Sequence, residues 1–116
     1  LATLAEKLTP ELKRKLRGLT DGEYRVLRVI IDFVKWKYGR TGDPVKARCF
    51  TYDSILKHAS YTRTNIPSLT IDRNIRKLRE LGLIQTFKRS GRTVFHCLHR
   101  DLAEAAIDEY RDEYEQ

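Results

Sequence analysis

"IDRNIRKLRELGLIQTFKRSGRTVFHCL", residues 71–98, decides the fold. Ile71, Ile75 and Leu78 recur at helical spacing, so one apolar stripe of this segment faces inward. Gly82 stops the helix, as a residue free to take positive φ does. Leu83 to Lys88 then alternates in the manner of a strand, Ser90-Gly91 marks a hairpin tip, and Thr93 to Leu98 returns as a second strand. Three cations, Lys88, Arg89 and Arg92, crowd that tip. Like charges this close repel, and an external polyanion would relieve the repulsion; basic tips also protect a sheet edge from aggregation.

Upstream, this third helix is expected from about Ser68 to Leu81, after a polar connection at 60–67, "SYTRTNIP". Thr51 caps a brief helix over 52–59 with Ile55, Leu56 and Ala59 inward, and Arg48-Cys49-Phe50 reads as a short strand. Thr20-Asp21-Gly22-Glu23 is a capping box, with Leu19 and Tyr24 at the staple positions. It opens a helix through Leu27, Val34 and Tyr38 that Gly39 is expected to end. Residues 39–47, "GRTGDPVKA", then read as a long loop.

Residues 1–18 read as two helical pieces, the second capped by Thr9 with Pro10 at its first position. Leu12, Leu16 and Leu19 form its stripe, and it either packs on its own domain or serves as a dimer arm. Downstream, Asp101 and Glu104 are expected to open a last helix over 102–114 with Leu102, Ala106, Tyr110 and Tyr114 on one side.

At 116 residues the chain holds one modest core. We divide it into an N-terminal arm (1–18), a core (19–100) and an acidic C-terminal helix (101–116). The net charge of +7 is unevenly spread. Residues 101–116 carry seven acidic side chains and one Arg, whereas 50–100 carry ten basic and three acidic ones. A basic body favours polyanions. No apolar run approaches the length of a membrane span. The first residue is Leu1, and no signal-peptide pattern precedes the helices, which points to a piece of a longer protein. Cys49 and Cys97 offer no disulfide framework, so a cytoplasmic, reduced setting is expected. His96, Cys97 and His99 do not converge as metal ligands, because neighbours along a strand point to opposite faces. No metal, cofactor or small-molecule ligand is expected. No phosphate loop or Ser/His/Asp constellation stands out either, and an enzyme is not expected.

The element order is therefore α+β and mostly helical: helix, short strand, helix, helix, strand, strand, helix. That is the order of a winged helix-turn-helix with flanking N- and C-terminal helices. "LTDGEYRVLRVIIDFV", "FTYDSILKHAS" and residues 71–98 resemble the winged-helix domains of plasmid and phage replication proteins. They are also similar to MarR-type regulators. The connection at 60–67 is longer than the tight turn usual in these families.

The resemblance implies double-stranded DNA as partner, read by the third helix in the major groove while the wing grips the backbone. Replication initiation or plasmid and phage maintenance is the implied setting, with transcription regulation as the alternative. Homodimerisation through the terminal helices is a further expectation. On the third helix, Arg73, Arg76, Lys77 and Glu80 face away from the apolar stripe. Arg73 is the first choice for a base contact, because its fork matches guanine O6 and N7, with Thr70, Asn74 and Arg76 as helpers. Ser68, Lys77, Lys88, Arg89 and Arg92 are expected at phosphates, as are Lys57, Tyr61, Arg63 and Asn65. Three bland readings compete: a solvated charged face on the helix, a protective hairpin tip, and Tyr61 folded back on the core. A winged helix used as a protein-interaction adaptor is the rival class, and it would present an apolar patch on the same helix or hairpin.

Overall fold

The computed structural model describes residues 8–88, 91 and 94–114, with Lys88 described by its backbone only. The spine is α2 (Asp21–Thr41), which follows a short α1 (Pro10–Arg17). Its start is the expected capping box: Thr20 Oγ1 accepts from the Glu23 N–H at 3.2 Å, and the Glu23 carboxylate accepts from the Thr20 N–H at 3.0 Å. Val26, Leu27, Ile30, Ile31 and Val34 are buried along it. Leu8 and Leu12 join the same core, so the described part of the N-terminal arm packs on its own domain. Leu4 lies outside the described residues.

Gly39 does not end α2. The helix runs on to Thr41, and Gly42, at φ 66°, closes it by donating its N–H to Tyr38 O at 2.8 Å. Gly39 has a tertiary reason instead: a Cβ there would lie 2.6 Å from Tyr110 Oη. The loop expected at 39–47 is correspondingly short. Asp43 Oδ1 accepts from the Val45 and Lys46 N–H groups and starts the one-turn α3 (Pro44–Ala47).

β1 (Cys49–Phe50) precedes α4 (Tyr52–Tyr61), capped by Thr51, and then α5 (Ser68–Glu80). The α4 helix outlasts its expected end at 59. It is closed by Thr64 N–H to Ala59 O (2.8 Å) and Arg63 N–H to Ser60 O (3.1 Å), with Arg63 at φ 59° where Gly is usual. The start of α5 at Ser68 and its buried stripe of Ile71, Ile75 and Leu78 are as expected, and the helix ends at Glu80, one residue short of the expected Leu81, which caps it. β2 (Ile84–Lys88) and β3 (Val94–Leu98) form the hairpin, and the antiparallel sheet has the order β1-β3-β2.

The sheet register explains an unforeseen contact. Leu98 N–H donates to Arg48 O at 3.1 Å, so the next opposed pair, Cys49 and Cys97, occupies a non-hydrogen-bonded position where side chains approach most closely. The two free thiols meet there with their sulfurs 3.0 Å apart. Burial and the neighbouring Cys49 push the Cys97 thiol up to about 11, against the pull of Arg48 and Lys37. Spacing in the sequence pairs nothing; only the sheet brings residues 49 and 97 together. On the opposite, inward face His96 stacks on Phe50 with ring centroids 5.4 Å apart.

The last helix, α6 (Arg100–Tyr114), starts two residues earlier than expected. Its first turn is capped by His99, whose Nδ1 accepts from the Asp101 N–H at 3.1 Å, so Asp101 lies inside the helix. Leu102, Ala103, Ala105, Ala106 and Ile107 are buried, and α6 packs chiefly on α2. Lys35 of α2 binds Glu109 and Glu113, and Arg111 donates to Tyr38 Oη at 2.9 Å. The acidic side of α6 thus meets α2 of the same chain. Among the described residues no helix is long and apolar enough to cross a membrane, and no group of three His, Cys, Asp or Glu could hold a metal ion.

Candidate nucleic-acid interface

The turn from Thr62 to Pro67 delivers the chain into α5 without a capping side chain, since Pro67 holds the N-cap position. Helices α1 to α4 are capped by Thr9, Thr20, Asp43 and Thr51. Tyr52 Oη donates to Ser68 O at 3.0 Å and ties the start of α5 to the start of α4. Ser68 and Leu69 are exposed there, Leu69 to 77%, and Thr70 is half-buried.

The 100° step between residues sends Ile71, Ile75 and Leu78 inward and Arg73, Arg76 and Lys77 outward. Arg76 pairs with Asp72 at 3.1 Å and Lys77 with Glu80 at 3.8 Å, both on α5 itself. Arg73 makes no ion pair or side-chain hydrogen bond among the described residues. Asn74, expected as a helper in base contact, is half-buried, and its Nδ2 lies against Gly22 of α2. Arg63 and Asn65 in the preceding turn are exposed.

Arg76 and Arg79 border a shallow groove between α5, the start of α4 and β3, where Asp53, Asp72 and His96 also lie. Burial first and the Arg79 cation second lower the His96 pKa from its ordinary value, with Asp72 opposing. Its Nδ1 is 2.7 Å from Thr86 Oγ1. Arg79 was not anticipated as part of this surface, although it follows Arg76 by three residues.

On the hairpin, Lys88 pairs in register with Val94. Its side chain and the tip residues Arg89, Ser90 and Arg92 lie outside what is described. Near the described end of the hairpin, Phe87 is 44% exposed and stacks on Phe95 at 6.3 Å, while Val94, exposed too, lies on the other face of the sheet.

Lys57 and Tyr61 separate from the α5 set. Both are exposed on the side of α4 that faces the C-terminal half of α2, where they line a groove with Phe33, Trp36 and Arg40. Tyr61 does not fold back on the core. The α2 members went unnoticed in the sequence, yet Phe33, Trp36, Lys37 and Arg40 follow the i, i+3, i+4, i+7 rule for one helix face. Compared with family models, curated proteins and solved structures, the chain finds no match.

Proposed function

We propose that the chain is a double-stranded DNA-binding domain of the winged-helix type. In this reading α5 enters the major groove, and the β2–β3 hairpin lies on the neighbouring backbone. The observation that carries it is the outward face of α5. It presents Arg73 without a partner among the described residues, Arg76 and Lys77 in exposed local pairs, and a helix start with no capping side chain. Exposed i,i+3 and i,i+4 pairs are worth only about a few tenths of a kcal/mol, so Lys77 and Arg76 are released to a phosphate or base at little cost. The free first amides of a helix suit a phosphate oxygen. Leu69 at the same end offers the apolar contact that a thymine methyl accepts. The strand order β1-β3-β2 and the helix order around it agree with the resemblance in the sequence. That resemblance is also the ground for a role in replication initiation or plasmid and phage maintenance, with transcription regulation as the alternative.

One observation favours the adaptor reading: Leu69, Phe87 and Val94 are exposed apolar side chains on the helix and hairpin in question. A salt titration of duplex binding tests the electrostatic part of this reading. About five phosphate contacts give a slope of log affinity against log salt near −4.5, and a slope near zero would remove the electrostatic argument. Arg73→Ala is expected to cost roughly 1–3 kcal/mol on the preferred site and less on random duplex. Equal losses on both would make Arg73 a phosphate contact and remove it from base reading.

A further inference from the structure

The groove between α2 and α4 has a volume of about 640 Å3, within the roughly 300–1,000 Å3 typical of ligand sites. Its aromatic content is high. Phe33, Trp36 and His58 form a cluster with ring centroids 5.5–5.9 Å apart, and Tyr61 stands at the rim. Trp36 is 45% exposed and Tyr61 80%, so two large rings are left in water beside a cavity. In the floor, His58 is 8% exposed, and its Nε2 is buried with no hydrogen-bond partner among the described residues.

The charge lining the groove has one sign. Lys37, Arg40 and Lys57 contribute cations, and among the described residues no carboxylate lines it. None of the three forms an ion pair among the described residues. Arg40 instead lies over the Trp36 ring at 5.2 Å and Lys37 over the Phe33 ring at 5.8 Å. A ligand complementary to this surface needs a flat π-face for the exposed rings and a negative charge within reach of the cations. Both properties recur at every unit of an unpaired nucleic-acid strand, and stacking accepts any base because every base has a π-face.

We propose that this groove binds unpaired nucleotides of a single DNA strand. Bases stack on Tyr61 and on Trp36, from whose face Arg40 swings to meet a phosphate, and Lys57 meets another. A base held in a duplex cannot present its face to those rings, so the groove is distinct in task from the outward face of α5. The proposal does not rest on α5 entering a major groove.

Trp36 is the only tryptophan in the chain, so its fluorescence reports on this groove directly. The experiment titrates the full chain with a short oligothymidylate, which forms no duplex of its own, and follows Trp36 emission. Saturable quenching is expected. Tyr61→Ala should weaken the oligothymidylate about tenfold, as loss of one stacking partner does, and Lys57→Ala should weaken it and reduce its salt dependence. Both side chains are exposed, so neither variant threatens folding. Arg73→Ala should leave the titration unchanged while lowering duplex affinity, which separates failure here from failure of the duplex reading.

Three results would overturn the proposal. One is the absence of quenching; another is quenching that neither groove variant alters. The third is quenching by benzoate at concentrations as low as those of the oligothymidylate, which would make the groove a site for small aromatic anions.

Discussion

On the α2–α6 side, Lys35 reaches two carboxylates and Arg111 is anchored on Tyr38. On α5, Arg73 has no partner among the described residues, and there Arg76 and Lys77 pair only along their own helix. The side chains of Lys35 and Glu109 are 15% and 17% exposed, against 64% and 53% for Arg76 and Asp72. Burial raises the cost of a lone charge, so the first set must be neutralised in place. The second set pays no such cost and holds no two elements together. Burial tends to disfavour the Lys35 ammonium, but Glu109 and Glu113 outweigh it and raise its pKa. One side of the molecule uses cations to close the fold, and the other leaves them available.

Substitutions can break or sharpen that contrast. The largest effect is expected where α6 seals the core. Leu102 is fully buried, and Leu102→Ala should destabilise the chain by about 2–5 kcal/mol in a denaturant titration. Arg73→Ala should stay within about 0.5 kcal/mol of the parent in the same assay. A smaller but more telling comparison sets Lys35→Ala against Arg76→Ala. The first leaves two acidic side chains, one largely buried, without their cation and should cost about 1–3 kcal/mol. The second should cost no more than a few tenths. Equal losses would erase the distinction between the two sides.

The smallest effect concerns acid. Burial holds both His58 and His96 below their ordinary pKa of 6.5, with Asp32 opposing at His58. The unfolded chain therefore takes up these protons first as the pH falls. Their contribution to stability is complete above about 6.5 and is lost below it, toward the lower values of the folded state. Denaturation midpoints at pH 7 and pH 5 should differ in that direction, and His58→Phe should narrow the gap. A midpoint that rose on acidification would contradict the burial of these rings.

Much of the fold is legible in local chemistry. Thr9, the Thr20–Glu23 box and Thr51 each mark a helix start because a cap is made within four residues. The α5 stripe and Gly82 are equally local. What escapes a linear reading depends on distant residues. Two glycines, Gly39 and Gly42, both look like helix stops, and only the approach of Tyr110 tells which one serves packing. His99 displaces Asp101 as a cap through a ring nitrogen that no sequence pattern flags. At the proposed interface, the outward positions of Arg73, Arg76 and Lys77 follow from the helical period, whereas the turning of Asn74 toward Gly22 depends on how α5 lies across α2. The groove beside Trp36 needs α2 and α4 to be packed before Trp36 and Tyr61 share a wall.

Strand β1 is only two residues long, yet it fastens Cys49 to a partner 48 positions further along. The intervening segment, with α4, α5 and the hairpin, leaves and rejoins the body at one point, like a loop of cord held in a clip. Its inward side packs on α2 through both α4 and α5, and its two ends are held by the same short piece of sheet. Oxidation of the two thiols to a disulfide, with two electrons and two protons passing to an external oxidant, would turn the clip into a covalent ring.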